Sequence, residues 1–417
     1  MADQNQDQEE DIRLHIVVFP WLALGHLIPF LELSKCLAEK GHRISFVSTP
    51  RNLQRLLPKI PPNLSSNLNL ISFPLPQVDN LLPDQAEATI DLPLHQIPYL
   101  KKAYDALDAP MSSFLETSTP DWIIYDFAPH WLPPIASRLG IPSVFFSIFT
   151  ASFNAFIGPP SQAGRSRMTP EQFIKPVLPV GLLPPPPPPP PPSVQQDNGE
   201  DDKHEEWMRI SEWLDKQEKG SVVYVALGTE ATLSQEELTE LALGLEESEL
   251  PFFWVLRKPA GSSTDHQDPS VLLPDGFQER TKGRGFVCMS WAPQLRILGH
   301  PSVGGFLTHC GWSSIIEGLA LGCPLILLPV INDQALNSRI LEWKKIGLEI
   351  ERDEEDGLFT KESVAKSLRT VVVEEEGETF RAKARELRGV FGDKERHDRY
   401  VGDFARYLKE YRRSTRK

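Results

Sequence analysis

No apolar run in this chain approaches the length needed to cross a bilayer, and the opening stretch from Met1 to Asp11 is acidic and polar, without the apolar segment of a secretory signal. Stable membrane insertion is therefore not expected. Basic charge is scarce as well: 43 Lys and Arg stand against 57 Asp and Glu, a formal net charge of −14. Nucleic acid and anionic membrane both attract basic patches, so neither is expected as the main partner, and a small-molecule substrate is. Cysteine is limited to Cys36, Cys288, Cys310 and Cys323, scattered among apolar stretches with no Cys-x-x-Cys pair. That pattern points to reduced thiols and a cytoplasmic protein rather than to a disulfide framework. Also missing is a Gly-x-Gly-x-x-Gly after a strand, which weakens a nicotinamide-dependent oxidoreductase as a reading, and an Asp-x-Asp pair in the setting that a metal-dependent transferase would use.

What the chain does contain is material for a large core: 417 residues, 40% hydrophobic, a length that suggests two domains. The first half alternates short apolar runs with amphipathic stretches: Leu14 to Phe19, a helix from about Pro29 to Lys40 ended by Gly41, then Ile44 to Val47, a βαβ unit. Later strands fit Trp122 to Tyr125 and Pro142 to Phe146, with a helix around Leu132 to Leu139. The second half repeats the pattern through Val222 to Ala226, Phe252 to Leu256, Gly285 to Cys288, Val303 to Leu307 and Leu325 to Leu328. Both halves read as parallel α/β. Between them, Pro184 to Pro192 is a run of nine prolines followed by an acidic stretch. As polyproline II it would span roughly 28 Å and act as a semi-rigid spacer, though a low-complexity expansion in a surface loop fits equally well. The expected division is 1–183, a linker at 184–206, 207–392, and a last helix at 393–417.

The most informative window runs from Trp291 to Gln334. Val303 to Thr308 reads as a buried strand, His309-Cys310-Gly311 as a turn, and Ser314 to Leu321 as a helix, so a helix N-terminus faces the turn. Unpaired N–H groups and the dipole make such an end a site for an anion, and with His309 and the serine hydroxyls the expected ligand is a diphosphate. Plainer readings exist. Ser314 with Glu317 also spells a capping box, Asp333 a helix N-cap, and Trp291 an ordinary half-buried aromatic.

Taken as a whole, Trp291-Ala292-Pro293-Gln294, then His309-Cys310-Gly311-Trp312-Ser313-Ser314 with Glu317, then Asp333-Gln334, resembles the signature box of plant family-1 UDP-glycosyltransferases. The resemblance implies two Rossmann-like domains with parallel sheets facing a cleft, the GT-B arrangement, the C-terminal domain holding a UDP-sugar and the N-terminal one a lipophilic acceptor. It further implies that Trp291 stacks on uracil, Ala292 meets the base through its backbone, and Gln294 and Glu317 bind the ribose hydroxyls. His309, Ser313 and Ser314, with Thr229 after the Val222 to Ala226 strand, would hold the phosphates. The Trp312 backbone, Asp333 and Gln334 would read the sugar, with Gln334 associated with glucose. Ser313 stands where the family usually has Asn. The UDP-sugar is a co-substrate, so no cofactor or metal is implied, and the expected state is a monomer.

By the same resemblance His26 is the catalytic base and Asp126 its partner. The residues support this on their own account. His26 follows a strand and precedes a helix, where the dipole opposes positive charge and so suits a group that must accept a proton, and Asp126 ends the strand Trp122 to Tyr125. Asp121, which opens that strand, is the rival at the opposite end. Trp21, Phe127 and Phe149 are the candidate acceptor contacts. The wording around His26 and His309 looks like the subgroup acting on flavonoid, terpenoid or steroid glycosides. One departure stands out: between Phe173 and Val177 the chain lacks some fifty residues that relatives carry, an estimate from the family pattern, and with them a wall of the acceptor pocket. The expected activity is hexosyl transfer from UDP-glucose, class EC 2.4.1. The alternatives are a UDP-rhamnose-dependent enzyme and a UDP-binding but impaired relative.

Overall fold

The structure is a computed structural model and describes residues 12–78, 82–157, 180–183, 201–228, 233–257, 272–290, 292–331 and 333–415. Thr229, Trp291 and the nine-proline run lie outside the described residues.

Every strand pairing among the described residues is parallel, which follows from the alternation of apolar runs with helices: a parallel neighbour needs a crossover, and each crossover here is long enough to carry one. The strands are β1 (His15–Phe19), β2 (Arg43–Ser48), β3 (Leu68–Ser72), β4 (Trp122–Tyr125), β5 (Ser143–Phe145), β6 (Val222–Ala226), β7 (Phe252–Val255), β8 (Gly285–Cys288), β9 (Val303–Thr308), β10 (Leu325–Leu327) and β11 (Gly347–Glu349). They form two sheets, ordered β3-β2-β1-β4-β5 and β11-β10-β9-β6-β7-β8. Two strands, β3 and β11, were not foreseen, and both are at sheet edges. Chain packing divides the molecule into one unit of residues 1–148, 176–183 and 395–417 and another of 149–175 and 184–394.

The divisions expected from sequence shift in two places. The helix Asp201–Asp215 begins inside the stretch assigned to the linker, its later turns being rich in good helix formers. The helix Ala151–Ile157 groups with the second unit, not the first. Packing partners, not sequence proximity, decide membership.

Within the first unit, β1 and β2 are buried along almost their whole length, as expected of strands covered on both faces. The last helix, Lys394–Thr415, presents Val401, Phe404, Ala405 and Leu408 at a spacing of one helical face, and all four are buried in the core shared with Trp122 and Ile124. Trp122 Nε1 donates to the carbonyl of Leu408, and Arg412 Nε donates to Asp121 Oδ1 at 2.9 Å. The four cysteines are free thiols, and burial raises Cys36 to about 11 and Cys323 to about 12, which keeps both protonated and unreactive.

Leu408→Ala removes a fully buried side chain from this shared core and should cost about 2–5 kcal/mol of first-unit stability. Urea unfolding followed by tryptophan fluorescence measures it, and an unchanged midpoint would mean that the last helix does not support this sheet.

Candidate active site

In the first sheet, β1 is flanked by β2 on one side and by β4 on the other, so the strand order reverses there, and in open parallel sheets such a switch leaves a crevice beyond the strand C-termini. Phe19 and Tyr125 are register partners at those ends, and the residues just past them carry His26 and Asp126. Asp126 is 1% exposed, and its Oδ2 lies 2.6 Å from His26 Nδ1 while also accepting from the Trp21 backbone N–H at 3.0 Å. Its Oδ1 accepts from the Phe127 N–H at 2.7 Å. The carboxylate is thus fixed by backbone donors and aimed at one nitrogen of the ring. The His26 side chain is 12% exposed.

His26 is not in a loop ahead of the helix, as the sequence suggested, but inside it. The helix runs Leu24–Glu39, because the Ala23 carbonyl already accepts from the N–H groups of His26 and Leu27 at 2.9 and 2.8 Å. Pro29 therefore sits past the first turn, where its missing N–H leaves the Gly25 carbonyl without the usual helical bond. Asp121 caps the other end of β4, accepting from the His15 N–H at 2.9 Å and from Arg412.

Of the aromatic candidates, Phe127 is 51% exposed and its ring centre is 5.3 Å from that of His26. Trp21 is buried, packed edge-on against Tyr104 at 5.1 Å and 6.2 Å from Phe127, so it backs Phe127 rather than standing open itself. Phe149 packs on Phe153 at 4.6 Å and groups with the second unit.

The second sheet repeats the device. Its order reverses at β6 and β9, where Ala226 pairs with Thr308, and just past this pair lie Gly228 and His309. The His309 ring is packed between two glycines: a Cβ on Gly228 would stand 2.7 Å from Cε1, and one on Gly311 2.4 Å from Nε2. Only glycine leaves room on both sides. Cys310 between them takes φ +67°, an unusual conformation for a side-chain-bearing residue, held by Asn337 Nδ2 donating to its carbonyl at 3.2 Å. Asn337 Nδ2 also donates to Asp333 Oδ2 at 2.8 Å, so the turn and Asp333 are tied together. Asn337 was missed in the sequence reading, although its place one helical turn after Asp333 was a usable signal.

The helix Trp312–Leu321 starts two residues earlier than expected, with Gly311 as N-cap and no side-chain cap. Ser314 therefore lies in the first turn and no capping box forms, and Glu317 instead accepts a short bond from Gln294 Nε2. The N–H groups of Trp312, Ser313 and Ser314 have no intrahelical acceptor. Ser313 is exposed, Ser314 half-buried, and the Trp312 ring lies 6.5 Å from Phe391. Asp333 occupies the N-cap position of the helix Gln334–Trp343 without a side-chain cap bond. Gln334 Oε1 accepts from the N–H groups of Val330 and Ile331, both at 2.9 Å. Ala292 is buried beside the turn that leads to Gln294.

His309 is half-buried, its Nδ1 is enclosed with no hydrogen-bond partner among the described residues, and desolvation lowers its pKa to about 4. The ring is neutral near pH 7 and can present an N–H to an anion without a charge of its own. Unfolded, the same side chain takes a proton near 6.5, so its contribution to stability is complete above that value and is lost as pH falls toward 4. The loss should reach on the order of 3 kcal/mol at pH 4. Thermal unfolding from pH 7 to 4 should be less acid-sensitive in His309→Gln than in the native chain; identical slopes would refute it.

Residues 192–394 match the family model described as UDP-glucoronosyl and UDP-glucosyl transferase. The chain is 44% identical over 486 residues to UDP-glycosyltransferase 91D2 of Stevia rebaudiana, with 100% of this chain and 99% of that one covered. It is 38% identical to soyasaponin III rhamnosyltransferase of Glycine max, with 97% of each covered. Among solved structures, Phytolacca americana UGT2 complexed with UDP-2fluoro-glucose and pterostilbene superposes with a TM-score of 0.71 at 26% identity, over 95% of this chain and 99% of that one. The 486-residue span exceeds the 417 residues present, so the Stevia protein has positions without a counterpart here, in keeping with a shortened chain. Similarity at this level over essentially the whole length, joined to a fold of two parallel-sheet units, leaves one conclusion: the chain belongs to the plant UDP-glycosyltransferases, enzymes of the GT-B fold.

Proposed function

We propose that this enzyme transfers glucose, with inversion, from UDP-glucose to a hydroxyl of a plant small molecule or its glycoside, of flavonoid, terpenoid or steroid type. The observation that carries the reading is the 2.6 Å contact between His26 Nδ1 and the buried Asp126 carboxylate. A carboxylate accepts only, so Nδ1 carries the proton and Nε2 presents its lone pair. Nε2 takes the proton of the acceptor hydroxyl, whose oxygen attacks the anomeric carbon. The bond from that carbon to the diphosphate oxygen breaks, and UDP leaves. Asp126 stabilises the imidazolium formed in the step, and Phe127, exposed beside His26, offers an apolar contact for the acceptor.

On the donor side, the first-turn N–H groups of the helix Trp312–Leu321, the neutral His309 ring and the serine hydroxyls suit the charge that develops on the leaving diphosphate. Gln294 and Glu317 would take the ribose. Asp333 would take a sugar hydroxyl, and since the Gln334 amide oxygen is committed to the Val330–Ile331 loop, its sugar contact would come from Nε2. UDP-rhamnose is the second donor reading, favoured by the relative named as a rhamnosyltransferase.

His26→Ala should lower UDP release from UDP-glucose in the presence of acceptor by at least about 10³-fold with UDP affinity unchanged, and Asp126→Asn should cost roughly 10²–10⁴ in kcat. A panel of flavonoid and terpenoid glycosides with both UDP-glucose and UDP-rhamnose is the assay. Turnover retained in His26→Ala removes the assignment of the base. No turnover with any acceptor despite UDP binding would favour an impaired, UDP-binding relative.

A further inference from the structure

On β6, two residues before the turn that carries Gly228, Tyr224 is 1% exposed and stacked on Phe306 at 5.3 Å. A buried phenol needs a partner for its hydroxyl, and here Tyr224 Oη donates to Gln294 Oε1 at 3.2 Å. The opposite end of the same carboxamide, Nε2, donates to Glu317 Oε2. A carboxylate has no hydrogen to give, so Gln294 must turn its NH₂ toward Glu317 and its oxygen toward Tyr224, and the chemistry alone excludes the flipped amide. Resting on the proposed ribose contacts of Gln294 and Glu317, we infer that Tyr224 is a positioning residue: its hydroxyl locks the Gln294 carboxamide so that an N–H donor stands beside the Glu317 acceptor, a pair that selects ribose over 2′-deoxyribose donors.

The pairing matches a hydroxyl in both its roles. Glu317 accepts the hydroxyl hydrogen while Gln294 Nε2 donates to its oxygen, and a sugar that lacks the hydroxyl leaves both groups unmatched. Without the Tyr224 hydroxyl the carboxamide is held at one end only and can swing away, so the preorganisation is lost although both contact residues remain. The proximity of the Glu317 carboxylate is also felt at the phenol: burial first, and that carboxylate second, hold Tyr224 well above the usual tyrosine range, so it stays a donor at every working pH.

The test is calorimetric binding of UDP and of 2′-deoxy-UDP to the full chain, to Tyr224→Phe, to Gln294→Ala and to the double variant, with melting temperature as the check of fold. Tyr224→Phe should weaken UDP by about threefold to tenfold, leave 2′-deoxy-UDP unchanged, and have no further effect in the Gln294→Ala background. In turnover the change should fall on KM for the donor and not on kcat. Equal weakening of both nucleotides, or an effect that persists without Gln294, would show that the hydroxyl acts through the fold and would overturn the inference. If Gln294→Ala weakens UDP while Tyr224→Phe does nothing, the inference fails and the ribose reading stands. If neither variant alters UDP binding, the ribose reading itself is wrong.

Discussion

A doubly wound parallel sheet sends its crossovers to both faces, and at the pair of strands where the direction changes a crevice is left beyond the C-terminal ends. Each of the two sheets has one such pair flanked by the residues of interest: β1 with β4, and β6 with β9. His26 and Asp126 come from the two strands that part at the first switch, Gly228 and His309 from the two that part at the second. The chemistry in each unit is therefore placed by topology before any side chain is chosen. What the side chains add is rigidity: backbone N–H groups hold Asp126, two glycines hold His309, and Asn337 holds the strained turn at Cys310.

Polar side chains near these crevices are mostly tied in pairs or chains. Tyr224, Gln294 and Glu317 form one chain, and Cys310, Asn337 and Asp333 another. Buried polar groups left singly would each cost stability, whereas joined groups hold one another in a single orientation and so are already arranged for a ligand. Among the described residues near the second crevice, His309 Nδ1 and Asn337 Oδ1 stand apart, both buried without a hydrogen-bond partner.

The fold was legible because β1, β4, β6 and β9 are short, apolar and separated by helical spacing, and strands covered on both faces announce themselves by composition. Edge strands do not: β3 alternates Leu68 and Leu70 with the polar Asn69, and β11 is three residues long, so only their neighbours define them. The start of the helix Leu24–Glu39 was misjudged because Pro29 is a helix-start signal, and here a carbonyl at Ala23 outweighed it. The chemistry-bearing residues were legible through their fixed spacing. Their supports were not, since Tyr224 and Asn337 look like ordinary strand and helix residues until tertiary contacts bring them to Gln294 and to the Cys310 turn. Ser314 and Glu317 show the converse: a local cap pattern that the folded chain does not use, because Gly311 takes the N-cap and Glu317 finds a longer-range partner.

The docking of the helix Lys394–Thr415 against Trp122 bears on how the chain comes into being. The core of the first unit includes Val401, Phe404, Ala405 and Leu408, which are translated after all the strands of both sheets. Sequence order and folding order are thereby uncoupled: the second unit can close its sheet during synthesis, while the unit that is translated first must wait, its β1 and β4 lacking part of their cover, until the helix Lys394–Thr415 is released.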